Sequence, residues 1–147
     1  MMDSKLFFSG LFKLYFYWEV LVITSIFVVL INSLYSIISK KVFNYFDLRI
    51  TLFTLIFNHI FFIIGFFIFI LNLILNYWDS NHISVIDQSY YLFDLNSNLL
   101  NLLSTVFITI GWSLHKKTII NLKRFLRIFI FYFLGLIILV LKSIYLN

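Results

Sequence analysis

The chain has 147 residues, of which 63% are hydrophobic and only 12% charged, a balance that a soluble domain of this size could not keep from aggregating. Its formal net charge is +5, and it contains no Cys, which excludes disulfides, thiolate metal ligands, thiol nucleophiles and cysteine-held iron–sulfur clusters. A membrane is the solvent that fits, and the expected fold is an all-α membrane protein with four transmembrane helices in one domain.

Residues 1–13 lack a basic stretch followed by a small-residue cleavage site, so no removable targeting segment is expected. Their Leu6, Phe7, Phe8, Leu11 and Phe12 suit a short interfacial helix on the outer surface. The first span is expected from about residue 14 to 39, between Lys13 and Lys40. At 1.5 Å per residue it measures roughly 39 Å against a ~30 Å hydrocarbon core, so it must tilt or begin among the headgroups. Glu19 is the single Glu and the one acidic residue inside an expected span. It is a candidate for a role in the membrane, as an interfacial or intersubunit anchor or as a proton or cation site. Ser25, Val29, Asn32 and Ser36 form a short stripe on the same helix.

The second span is expected over about residues 50–78, where Asn58, Phe62, Gly65, Phe69, Asn72 and Asn76 recur at three- and four-residue steps and so share a face. His59 lies deep in this span and needs a partner, an interhelical hydrogen bond to an Asn or a ligand shared with another subunit. His82 and His115 lie near opposite membrane faces, so the chain cannot supply a facing pair of haem ligands. An outer acidic loop follows over about residues 79–94, with Asp79, His82, Asp87 and Asp94. Asp-x-x-His spacing is too common to signal a metal, and Tyr90-Tyr91 reads as an interface contact.

The third span, about residues 95–114, is the least apolar, diluted by Asn96, Asn98, Asn101, Ser104, Thr105, Thr109 and Ser113. Its stripe is Asn98, Asn101, Thr105, Thr109 and Trp112. The fourth, about residues 125–141, carries Arg127 in its first turn and Lys142 at its end, both long enough to snorkel to the interfaces. Small residues are scarce, with 4 Gly and no Ala, so Asn58, Gly65, Asn72, Asn98, Asn101 and Thr105 are the expected helix-packing positions.

Orientation follows from the cations. Lys40, Lys41 and Arg49 mark the first connection, and Lys116, Lys117, Lys123 and Arg124 the third, while the second has no Lys or Arg. The positive-inside rule then places both termini outside. Tyr15, Tyr17, Trp18, Tyr77, Trp78 and Tyr145 would form the outer aromatic belt, with Trp112 at the inner one. The cations read as topogenic, with structural lipids such as cardiolipin at Lys40, Lys41, Lys116, Lys117 and Arg124, and with no nucleic-acid partner.

No Gly-rich phosphate loop, nucleophile elbow or pair of buried carboxylates supports catalysis, so the chain is not expected to be an enzyme by itself. Its excess of Phe, Ile, Leu, Asn, Lys and Tyr and its lack of Ala and Pro track codons rich in A and T. With this composition and topology it resembles the small divergent proteins encoded by AT-rich protist mitochondrial genomes of the ciliate type. Several of these are inner-membrane subunits of respiratory complexes. The resemblance implies basic loops on the matrix side and a noncatalytic subunit with no cofactor bound by this chain alone. Antiporter-like complex I subunits carry mid-helix Lys or Glu, and the small three-helix subunits carry Glu in the second and third helices. Neither pattern occurs here, which favours cytochrome c oxidase over an accessory subunit of complex I or ATP synthase. A rival of another class looks like the small multidrug resistance transporters in length, helix number and one Glu in the first helix. It departs from them in having no Ala-rich packing face and a shallower Glu19.

Overall fold

The computed structural model describes residues 2–78 and 95–145, with side chains described from residue 9 onward except those of Asn72, Leu95, Tyr145 and residues 75–78. The acidic loop with Asp79, His82, Asp87 and Asp94, the Tyr90-Tyr91 pair, and the side chains of Asn72, Asn76, Tyr77, Trp78 and Tyr145 lie outside the described residues. Among the described residues four helices make up the fold: α1 (Met2–Ile38), α2 (Tyr45–Trp78), α3 (Leu95–Lys116) and α4 (Asn121–Tyr145). All four are long and apolar enough to cross a membrane, so the chain is an all-α, multi-pass transmembrane protein. The separate interfacial helix expected before Lys13 is instead continuous with α1, and no Pro interrupts residues 2–38.

The α1–α2 turn is built from local hydrogen bonds. The Lys41 amide donates to the Ser36 carbonyl and the Lys40 amide to that of Ile37, with Lys40 at φ 50°, the left-handed residue of a Schellman stop. Asn44 then caps α2, its Oδ1 accepting from the amides of Phe46 and Asp47 while Asp47 Oδ2 accepts from the Asn44 amide. This reciprocal box satisfies donors that a helix start otherwise leaves bare.

Helices consecutive in the chain are antiparallel neighbours, and α1 closes the ring against α4. Asn32 meets Asp47, Asn58 meets Thr105, Ser104 meets Gly135, and Glu19 meets Lys142. The buried positions repeat at alternating steps of four and three. On α1 the repeat is Tyr15, Glu19, Val22, Ile26, Val29, Ser33 and Ser36, with Leu30 buried outside it, and on α2 it is Asp47, Thr51, Thr54, Asn58, Phe61, Gly65 and Ile68. The spacing averages 3.5 residues, the repeat by which helices keep one seam toward a common axis. The expected stripes are thereby corrected: Phe61 and Ile68, rather than Phe62 and Phe69, complete the α2 seam, and Ser25 and Asn32 lie at the edge of the α1 seam.

The α3–α4 contact is the closest. A Cβ at Gly111 would lie 2.7 Å from Phe131 Cβ, and one at Gly135 would lie 2.9 Å from Ile108 Cγ1. Between these crossings Tyr132 is wholly buried and donates its hydroxyl across the bundle to the Thr51 carbonyl.

Candidate functional site: an ion pair shared by four helices

The four seams converge near the end of the bundle that carries both termini. From α1, one turn apart, come Tyr15 and Glu19; from α2, Phe61 and Gly65; from α3, Asn98 and Asn101; and from α4, Lys142. Lys142 Nζ donates to Glu19 Oε1 at 3.0 Å and to the Tyr15 hydroxyl at 2.6 Å. Asn101 Nδ2 donates to the same hydroxyl at 2.8 Å. The ammonium also lies 4.7 Å from the Tyr15 ring centroid and 4.8 Å from that of Phe61, and the two rings stack. The side chains of Lys142 and Glu19 are 7% and 11% exposed, so this is an interior pair.

Burying two charges is costly, and only close geometry with further hydrogen bonds offsets it. Here the Tyr15 hydroxyl accepts from the cation, and the faces of two aromatic rings add cation–π attraction. Gly65 lets these groups approach α2: a Cβ there would lie 3.1 Å from Tyr15 Cε2, 3.2 Å from Asn98 Oδ1 and 3.3 Å from Asn101 Nδ2. A bulkier residue would push apart the layer that holds the pair. Both amide atoms of Asn98, and Asn101 Oδ1, are buried without a protein hydrogen-bond partner, so this layer has unused polar capacity beside the pair.

Three residues depart from expectation here. Lys142 does not snorkel, because Glu19 and Tyr15 offer it better partners than the headgroup layer does. Tyr15 is a core residue and no belt position, since its hydroxyl is the shared acceptor. Glu19 is paired within the chain, where an interfacial anchor was one expectation. The signal for Lys142 was its spacing, seven residues beyond Gly135 on the α4 seam.

The remaining candidates lie elsewhere. Asn58 Nδ2 donates to Thr105 Oγ1 at 2.9 Å, joining α2 to α3, and Thr105 donates in turn to the Asn101 carbonyl. His59 bonds no Asn. Its Nδ1 lies 2.8 Å from the Leu55 carbonyl one turn back on its own helix, which gives that ring nitrogen a partner within α2. Arg127 turns inward to the Leu114 carbonyl at 2.6 Å. At the other end of the bundle Asp47 is buried and receives Asn32 Nδ2 at 2.8 Å and Lys41 Nζ at 3.4 Å. His115 packs there between Phe43 and Trp112. Among the described residues no group of His, Asp and Glu is gathered closely enough to hold a metal ion.

No family model, curated protein or solved structure matches this chain.

Proposed function

We propose that this protein is a noncatalytic structural subunit of a larger membrane complex, specifically of a respiratory-chain complex of the mitochondrial inner membrane, with cytochrome c oxidase the first choice. The observation that carries the reading is the Glu19–Lys142 pair. The one Glu available for chemistry in the membrane is spent on joining α1 to α4, as Asn58 is on joining α2 to α3. Polar groups used in this way specify helix partners. The outer faces carry exposed Phe27, Ile31, Phe53, Ile63, Phe66 and Phe67, a surface suited to lipid or to neighbouring subunits. The mitochondrial assignment rests on the resemblance in composition and topology, and it puts the basic turns in the matrix.

Native gel separation of a mild-detergent extract, followed by mass spectrometry, tests the proposal. Stoichiometric co-migration with the oxidase supports it, and an isolated homodimer defeats it. Orientation is tested on this Cys-free chain with single cysteines at Ser89 and at Ile119, which is 91% exposed. The proposal requires that they react from opposite sides of the membrane.

A second reading, a small proton-coupled transporter using Glu19, draws on the unpartnered Asn98 amide beside the pair. It requires that Glu19→Gln abolish proton-coupled substrate movement in reconstituted vesicles. Unaltered movement would dispose of it.

A further inference from the structure

An open groove of about 330 Å³ runs between α1 and α2 next to the turn that joins them, lined by Val28, Ile31, Asn32 and Tyr35 of α1 and by Phe46 and Ile50 of α2. From Tyr35 to Val28 it descends about two helical turns, roughly 10 Å, away from the turn and toward the middle of the span. Its lining is apolar apart from Asn32 and the Tyr35 hydroxyl, and Asn32 already donates to Asp47. What the groove can hold is therefore apolar and extended.

The cations at this end of the bundle differ in whether the chain itself uses them. Lys41 is held by Asp47, Lys116 lies over the Trp112 ring, Arg124 donates to the Thr118 carbonyl, and Arg127 donates to that of Leu114. The side chains of Lys40 and Arg49 are exposed and bond to no protein group among the described residues. Both are close to the groove along the chain: Lys40 comes five residues after Tyr35, in the turn that ends α1, and Arg49 lies between Phe46 and Ile50 on α2. Lys117 and Lys123, at the other turn on this end, are exposed too, and provide a comparison of equal charge.

We infer that this groove is a binding site for an anionic phospholipid, with one acyl chain between α1 and α2 and the phosphate held by Lys40 and Arg49. Arg offers a planar fork to phosphate oxygens, and Lys adds a flexible point charge. The depth matches a lipid, since Lys40 lies in the turn, where headgroups lie, and Arg49 lies in the second turn of α2, level with the upper part of the apolar lining. The inference stands apart from the subunit proposal, because it needs only that the bundle span a membrane.

The test uses the purified full chain in mild detergent, exchanged with an equimolar mixture of phosphatidylglycerol and phosphatidylcholine, with retained lipid counted by native mass spectrometry. Phosphatidylglycerol should be retained preferentially. Lys40→Gln with Arg49→Gln should lower its retention about fivefold per cation removed, the scale of one basic residue's attraction to an anionic headgroup. Ile31→Trp, which fills the groove and leaves both cations in place, should also lower it. Lys117→Gln with Lys123→Gln should leave it unchanged. Equal loss in that control, or full retention in Ile31→Trp, would overturn the site. All of these positions are exposed, so unchanged helicity by circular dichroism should accompany every variant.

Discussion

Two carboxylate–ammonium pairs occupy opposite ends of this bundle and are built differently. Asp47 and Lys41 lie 3.4 Å apart in the α1–α2 turn, where the lysine side chain keeps 34% of its surface exposed. Glu19 and Lys142 lie 3.0 Å apart with both partners buried. Asp47 shares its charge among the Asn44 amide, the Asn32 side chain and Lys41, so the lysine is one donor of three. Lys142 is the cation that neutralises Glu19 in the interior. The same chemistry thus acts as trim on a helix cap at one end and as the link between the first and last helices at the other.

The sharpest way to break the comparison is to remove one ammonium at a time. Lys142→Met should destabilise the bundle by about 3–5 kcal/mol, because it leaves a buried carboxylate uncompensated. Adding Glu19→Gln should recover most of that loss, since an apolar and neutral pair no longer carries the desolvation penalty. Unfolding in mixed micelles with increasing dodecyl sulfate, followed by circular dichroism, measures both. A single variant within 1 kcal/mol of the parent would mean that Glu19 finds water or lipid headgroups once its partner is lost.

Next in size is the α3–α4 contact that positions Lys142 along α4. Gly111→Ala brings a methyl within 2.7 Å of Phe131 Cβ, too close to accept without moving α4. Overpacking of this kind costs about 1–3 kcal/mol. If the displaced helix carries Lys142 with it, adding Gly111→Ala to Lys142→Met should cost less than the sum of the two measured singly. Strict additivity would show that the two sites are independent.

How much of this was legible in the sequence depends on what marks a seam in a membrane helix. In water the buried face is the apolar one; here both faces are apolar, and the seam is marked by the few polar or small residues on it. Asn58 and Gly65, seven residues apart, are buried on the α2 seam, and Asn98, Asn101 and Thr105 are buried on α3. Between Asn58 and Gly65, however, either Phe61 or Phe62 completes a three-four step, and nothing local distinguishes the two rings. On α1 the expected stripe shares Val29 and Ser36 with the seam, but its Ser25 and Asn32 lie one residue from Ile26 and Ser33, each turned about 100° from the residue that is buried. Placed on the true seam, Glu19 points inward with Ile26 and Ser33. The pairing with Lys142 was harder to see, because a lysine at the end of an apolar span snorkels by default, and its partner is 123 residues away. The Asn44-Tyr45-Phe46-Asp47 capping box could have been read directly, and it would have moved the start of α2 from residue 50 back to Tyr45.

That capping box sharpens the contrast at its weak end. Asn44→Ala removes the acceptor for two first-turn amides and should cost about 1 kcal/mol, the usual value of an N-cap. Lys41→Gln should cost less still, under about 1 kcal/mol, because a half-exposed pair is screened by solvent and Asp47 keeps the Asn44 amide and the Asn32 side chain. The two turn variants also separate the cap from the charge. If Lys41→Gln proved as damaging as Lys142→Met, the turn would depend on its cation as the interior does, and the difference in burial would not explain the difference in role. If Lys41→Gln is near neutral while Asn44→Ala is not, Asp47 is buried to close the start of α2, and its lysine is incidental to that task.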